Sequence, residues 1–282
     1  MRAVARAIPH VVSPRWLAEH IEEPDLRVVD VRWKLGEPAA GRRAYAERHL
    51  PGAVFLDVDR DLAAPKGPGR HPLPSTDAFA KTMSRIGVGD ATRVVAYDDM
   101  GGAIAARLWF LLRYFGHETG AVLDGGIQAW QAEERPLVHE EPQVAPARFS
   151  ARPRPELIVD RNEVGAHPGL VLDARQPQRY RGELEPIDPR AGHIPRAKNA
   201  PFVNNLLTVM GPFLPPDKLR AQYGQLGADS GADIICYCGS GVTACHDLLA
   251  LELAGITGAR LYEGSWSDWS SDPASPVATG DE

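Results

Sequence analysis

Ala232-Asp233-Ile234-Ile235-Cys236-Tyr237 runs straight into Cys238-Gly239-Ser240-Gly241-Val242-Thr243-Ala244. The first six residues are short, β-branched and bounded by turn residues, which predicts a buried parallel strand. The residues beyond the turn, His246-Asp247-Leu248-Leu249-Ala250-Leu251-Glu252-Leu253-Ala254-Gly255, have helical spacing and stop at a glycine. A turn of small residues between a strand and a helix exposes a ring of backbone N–H groups at the positive end of the helix dipole. Both effects favour a thiolate over a thiol, so Cys238 is a candidate nucleophile.

Working outward from this stretch, the chain repeats itself. Val28-Val29-Asp30-Val31-Arg32 returns as Val171-Leu172-Asp173-Ala174-Arg175, and His49-Leu50-Pro51-Gly52-Ala53 as His193-Ile194-Pro195-Arg196-Ala197. Leu123-Asp124-Gly125-Gly126 with Trp130 returns as Leu261-Tyr262-Glu263-Gly264 with Trp269. Order and spacing are both kept, and so long a period means two domains rather than a solenoid. In the first half, Leu26–Val31, Ala53–Leu56, Arg93–Tyr97 and Ala121–Leu123 read as strands. Trp16–Ile21, Asp77–Ile86 and Ala103–Phe115 read as the helices between them. Alternating β and α elements predict an α/β fold, each half a parallel sheet flanked by helices on both faces. Pro136, Pro142, Pro146, Pro153 and Pro155 mark 136–155 as a linker between domains at 1–135 and 156–282.

The same comparison separates the halves by chemistry. Val95-Ala96-Tyr97-Asp98 aligns with Ile235-Cys236-Tyr237-Cys238, so an aspartate stands where the second half has its thiol. The first domain is therefore expected to be non-catalytic. Asp30, Arg32, Asp173, Arg175, His49 and His193 occur in both copies, which favours structural roles for them, such as strand-end ion pairs.

Composition narrows the class. With 282 residues, 44% apolar and a net charge of −6, the chain reads as a globular two-domain protein and not as a nucleic-acid binder. No run reaches the roughly 18 apolar residues of a membrane span. The N-terminus, Met1 to His10, lacks the apolar core of a signal peptide, which points to the cytoplasm. Three cysteines between 236 and 245 cannot staple the chain and fit a reducing compartment.

The residues also carry a family likeness. On Asp173-Ala174-Arg175, Arg179-Tyr180, Gly192-His193-Ile194-Pro195, the Cys238–Ala244 loop and Gly264-Ser265-Trp266, the chain resembles the tandem-domain rhodanese family. His49 through Asp57 and Leu123 through Gly126 carry the resemblance into the first half. Within the family it is most similar to the 3-mercaptopyruvate and thiosulfate sulfurtransferases. The resemblance implies a persulfide on Cys238, fed by 3-mercaptopyruvate or thiosulfate and discharged to a thiol, such as thioredoxin or a small thiol, or to cyanide. It implies a proton relay of Ser240, His71 and Asp59, and an arginine, Arg179, that binds the donor. A second family arginine precedes the Gly-His-Ile-Pro motif, and Arg190 is the nearest candidate. Gly239 and Ser240 occupy places that are basic in thiosulfate-preferring members, which favours mercaptopyruvate. Gly239, Gly241, Val242, Thr243 and Ala244 would cradle the persulfide with their N–H groups.

Rival readings are weaker. A phosphatase built on such a loop needs an arginine six places after the cysteine, where Ala244 stands. Cys236, Cys238, Cys245 and His246 lack the paired spacing of a zinc site, so no metal and no cofactor is expected. A thiosulfate-preferring enzyme, or a non-catalytic sulfur carrier or protein-binding module, remains as an alternative. Trp266 suits either a pocket wall or the core.

Overall fold

Each half of the sequence builds one five-stranded sheet in which every pairing is parallel. The structure, a computed structural model, describes residues 6–281. The reading of the N-terminus as lacking a leader therefore falls in part, at Met1–Ala5, outside the described residues. In the first half the strands are β1 (Val11–Val12), β2 (Leu26–Asp30), β3 (Val54–Phe55), β4 (Arg93–Tyr97) and β5 (Gly120–Leu123). They are joined by α1 (Pro14–His20), α2 (Ala40–Glu47), α3 (Val58–Asp61), α4 (Thr76–Arg85) and α5 (Ala105–Tyr114), and β5 leads into α6 (Gly126–Ala132).

The second half repeats this with β6 (Ile158–Val159), β7 (Leu170–Asp173), β8 (Lys198–Asn199), β9 (Ile234–Tyr237) and β10 (Arg260–Tyr262). Its helices are α7 (Arg161–Ala166), α8 (Pro177–Tyr180), α9 (Pro216–Gln225), α10 (Ala244–Leu253) and α11 (Ser265–Trp269). The sheet orders are β1-β5-β4-β2-β3 and β6-β10-β9-β7-β8, the same arrangement twice. The central strands β4 and β9 are buried at every position, as covered parallel strands are.

The chain divides into two compact units. The first comprises the chain up to Ala64, Pro74–Arg154 and Thr208–Phe213; the second comprises Pro65–Leu73, Pro155–Leu207 and the chain from Leu214. The proline-rich stretch from 136 thus packs with the first unit as far as Arg154. Of the two segments grouped away from their sequence neighbours, Pro65–Leu73 matters most, because it carries Arg70 and His71 into the second unit.

The residues shared by both halves do structural work. Arg32 forks onto Asp30 and also donates to the Arg48 carbonyl, while Arg175 forks onto Asp173 and donates to the Gly192 carbonyl. Each pair is buried, and each ties a strand end to a loop. His49 stacks on Tyr45 at 3.9 Å, and His193 on Tyr180 at 3.8 Å. Each imidazole also bonds the carbonyl of its stacked tyrosine. Trp130 and Trp269 each donate their indole N–H to a proline carbonyl, of Pro136 and Pro276. Trp266 is fully buried in the second core beneath Arg175, so it packs the core rather than walling a pocket.

Candidate active site

Cys238 follows the last residue of β9, and its loop ends where α10 begins. The residue is only 2% exposed, so the loop encloses it. Gly241 makes the curl possible: its φ is +76°, and a Cβ there would stand 2.6 Å from the Glu263 carbonyl oxygen. The loop is tied down by Trp266 and Ser267, whose N–H groups donate to the carbonyls of Cys238 and Gly239 at 2.9 Å each.

The first unit shows what such a loop binds. Asp98, at the position of Cys238, is fully buried. Its carboxylate accepts from the N–H groups of Met100 (2.8 Å), Gly102 (2.9 Å), Ile104 (2.7 Å) and Ala105 (2.8 Å). The curl is the same, with Gly101 at φ +67° where the second loop has Gly241. In the second loop the corresponding N–H groups of Ser240, Val242 and Ala244 meet no acceptor among the described residues. A bowl of amides that closes on a carboxylate in one copy surrounds a thiol in the other.

Ser240 and His71 come together: Ser240 Oγ lies 2.7 Å from His71 Nδ1, and both residues are buried. His71 is held there because its segment is stitched to α11 and to the turn after β10. Arg70 N–H donates to Ser267 Oγ at 3.0 Å, and Leu73 N–H donates to Glu263 Oε2 at 3.0 Å. Asp59 lies in the first unit on α3, where its carboxylate accepts from the Trp33 indole at 2.9 Å.

Two guanidiniums face Gly239. A side chain at this glycine would place its Cβ 3.3 Å from Arg70 Nη2 and 3.4 Å from Arg179 Nη1. Asp188 joins the two arginines, accepting from Arg70 Nη1 at 2.6 Å and from Arg179 Nη2 at 3.0 Å. Glu185 takes the outer edge of Arg179, at 2.7 Å from Nη2 and 3.2 Å from Nε. Arg70 Nε is buried with no acceptor among the described residues.

Arg190 departs from expectation. Its guanidinium donates to the carbonyls of Ser270 (2.9 Å), Ser275 (2.8 Å), Trp269 (2.9 Å) and Asp272 (2.5 Å). Carbonyls at the end of α11 and in the loop beyond it attract a cation, and here they take four of its five N–H groups. Arg70 stands beside Arg179 instead, a residue the sequence reading passed over although it adjoins His71. Ser265 was also missed. It holds a left-handed backbone, φ +53°, where the first half has Gly126. Its Oγ accepts from the Cys238 N–H at 3.1 Å and donates to the Tyr262 carbonyl at 2.9 Å, pinning the cysteine to the turn after β10. The repeat as read in the sequence pairs Gly126 with Gly264, and the structure shifts that pairing by one residue, so the serine in the glycine's place was hidden.

The other two cysteines sit in the core. Burial, with Asp247 nearby, pushes the Cys236 thiol well above its ordinary range, so it stays protonated. Cys245 donates its thiol to the Gly241 carbonyl at 3.3 Å.

Known proteins resemble this chain over nearly its whole length. The Rhodanese-like domain family matches residues 13–133 and again 156–272. A protein of Pseudomonas aeruginosa described as a probable 3-mercaptopyruvate sulfurtransferase is 47% identical, over 96% of this chain and 98% of its own. The thiosulfate sulfurtransferase of Bos taurus is 36% identical, over 92% of this chain and 91% of its own. The crystal structure of SseA from Escherichia coli, described as showing the rhodanese fold of 3-mercaptopyruvate sulfotransferases, superposes with a TM-score of 0.82 at 33% identity. It covers 92% of this chain and all of SseA. Among the described residues no helix is long and apolar enough to cross a membrane.

Proposed function

We propose, from the premise that this chain belongs to the rhodanese family and is a sulfurtransferase, that Cys238 takes its sulfur from 3-mercaptopyruvate. The observation that carries the reading is the amide bowl, which grips a carboxylate in the first unit and is built around the Cys238 thiol in the second. A thiolate held there attacks the donor's sulfur. The new S–S bond forms as the donor's C–S bond breaks, and the electron pair leaves on carbon as the enolate of pyruvate. That carbon then needs a proton; the donor's own S–H gives one up as the outer sulfur becomes anionic, and the Ser240–His71 pair passes it on. The outer sulfur of the persulfide carries its charge one atom further from the backbone, into the converging N–H groups of the loop. An acceptor thiolate, of thioredoxin or a small molecule, or cyanide, attacks that outer sulfur and releases Cys238 as the thiolate.

The donor's carboxylate is assigned to the inner edges of Arg179 and Arg70, because planar guanidiniums suit carboxylate geometry. Cysteines that form no disulfide suit a cytoplasmic setting.

Intact mass tests the reading. Incubation with 3-mercaptopyruvate should add one sulfur atom to the wild-type chain, and Cys238→Ser should gain none. A wild-type chain whose mass never moves with mercaptopyruvate or with thiosulfate ends the proposal. Arg179→Ala should raise KM for mercaptopyruvate by about tenfold to a hundredfold, the range for a lost charge-assisted hydrogen bond. An unchanged KM removes Arg179 from the clamp.

A further inference from the structure

We propose that Asp188, together with Glu185, decides the charge of the donor this site accepts. The two carboxylates hold Arg70 and Arg179 as one clamp and cancel its charge, which reserves it for a monoanion. The inference rests on the sulfur-transfer reading above and assigns a positioning role.

The contacts are one-sided. Asp188 Oδ1 accepts from Arg70 Nη1 at 2.6 Å and its Oδ2 from Arg179 Nη2 at 3.0 Å, while Glu185 takes Arg179 Nη2 and Nε. What remains, Arg70 Nη2 and Arg179 Nη1, is what faces Gly239 beside the sulfur. The buried Arg70 Nε, without an acceptor among the described residues, is a further donor that an arriving anion can satisfy.

Charge then discriminates. Arg70 and Arg179 bring two positive charges, Asp188 and Glu185 two negative ones. Arg175, forked onto Asp173, also reaches Glu185 Oε2 at 3.4 Å, and adding that pair of opposite charges leaves the balance unchanged. The side chains of Asp188 and Glu185 are only 2% and 3% exposed, so water screens them poorly. Mercaptopyruvate brings a single carboxylate charge to this neutral cluster. Thiosulfate brings two, and the second meets the same buried carboxylates with no cation left over.

The test is kcat/KM for 3-mercaptopyruvate and for thiosulfate in the wild type, Asp188→Asn, Glu185→Gln and Asp188→Glu. Removing one negative charge, by Asp188→Asn or Glu185→Gln, should raise the thiosulfate-to-mercaptopyruvate ratio by about tenfold. Asp188→Glu keeps the charge and should keep the wild-type ratio within about twofold. A purely structural role would lower both donors in step. A ratio that stays put in the charge-removing variants, or moves equally in Asp188→Glu, overturns the proposal. If either charge-removing variant does not fold, the other decides. Should thiosulfate selectivity prove insensitive while the wild type still gains sulfur from mercaptopyruvate, this inference falls and the parent reading stands. A wild type that gains sulfur from neither donor ends both.

Discussion

Cys238→Asp should abolish sulfur uptake and at the same time make the protein harder to unfold than Cys238→Ala. The first unit supplies the precedent. There a carboxylate in the equivalent place accepts four N–H groups of the loop at 2.7–2.9 Å. The second loop offers N–H groups at three of these four positions, from Ser240, Val242 and Ala244, while the fourth, of Cys245, donates to the Val242 carbonyl at 3.1 Å; Gly241 keeps the same left-handed turn. An aspartate there stands in for the persulfide anion: the same charge at about the same reach from the backbone.

Hydrogen bonds to a charged acceptor contribute roughly 1.5–3 kcal/mol each, but taking the carboxylate out of water offsets much of that. A net gain of about 1–2 kcal/mol is therefore expected, or a midpoint about 2–6 °C above the alanine variant. Thermal unfolding of the two variants side by side, with intact mass after incubation with donor, measures both halves of the expectation. An aspartate variant less stable than the alanine variant would mean that the bowl repels anions. The persulfide would then have nothing to hold it.

The strand-loop-helix around Cys238 was legible because its parts obey local rules: a β-branched run, small residues where the chain must curl, and a helical period closed by Gly255. The duplication was legible because the repeated residues fix backbone geometry, as the Asp30–Arg32 and Asp173–Arg175 forks do. Most elements too short to carry a period were not legible, although β3, only two residues long, was read within Ala53–Leu56. Strands β1 and β8 have two residues each, and α2 opens from a left-handed Ala39 with no side-chain cap. The arginines failed for a different reason. Arg190 and Arg70 are the same chemical type, and only tertiary contacts reveal that backbone carbonyls engage one while the other keeps a buried Nε with no partner among the described residues. Nothing local announces that Pro65–Leu73 joins the second unit, since its ties to Ser267, Glu263 and Ser240 span well over a hundred residues of sequence.

Asp98→Ala should be among the most damaging single changes outside the sulfur-carrying loop. The carboxylate is fully buried, and its loss leaves the N–H groups of Met100, Gly102, Ile104 and Ala105 without their acceptor. Each buried donor left unsatisfied costs about 1–3 kcal/mol. Water entering the small space left by the side chain recovers part of this, so about 3–5 kcal/mol is expected in total, the upper range for a point substitution. Asp98→Asn is informative because it keeps the shape. Its amide oxygen can still accept from two of the four, but its NH2 group is turned toward the other two donors, so it should recover less than half of the loss. Cys238 and its loop are untouched in both variants, and the folded fraction should still gain one sulfur atom. Urea unfolding, followed by probes in each unit because two units need not unfold together, gives the stability terms. A loss under about 1 kcal/mol in Asp98→Ala would show that water satisfies these amides as well as a carboxylate does. The bowl would then be an ordinary solvated turn in the first unit, and its counterpart around Cys238 would lose its claim to hold a charge.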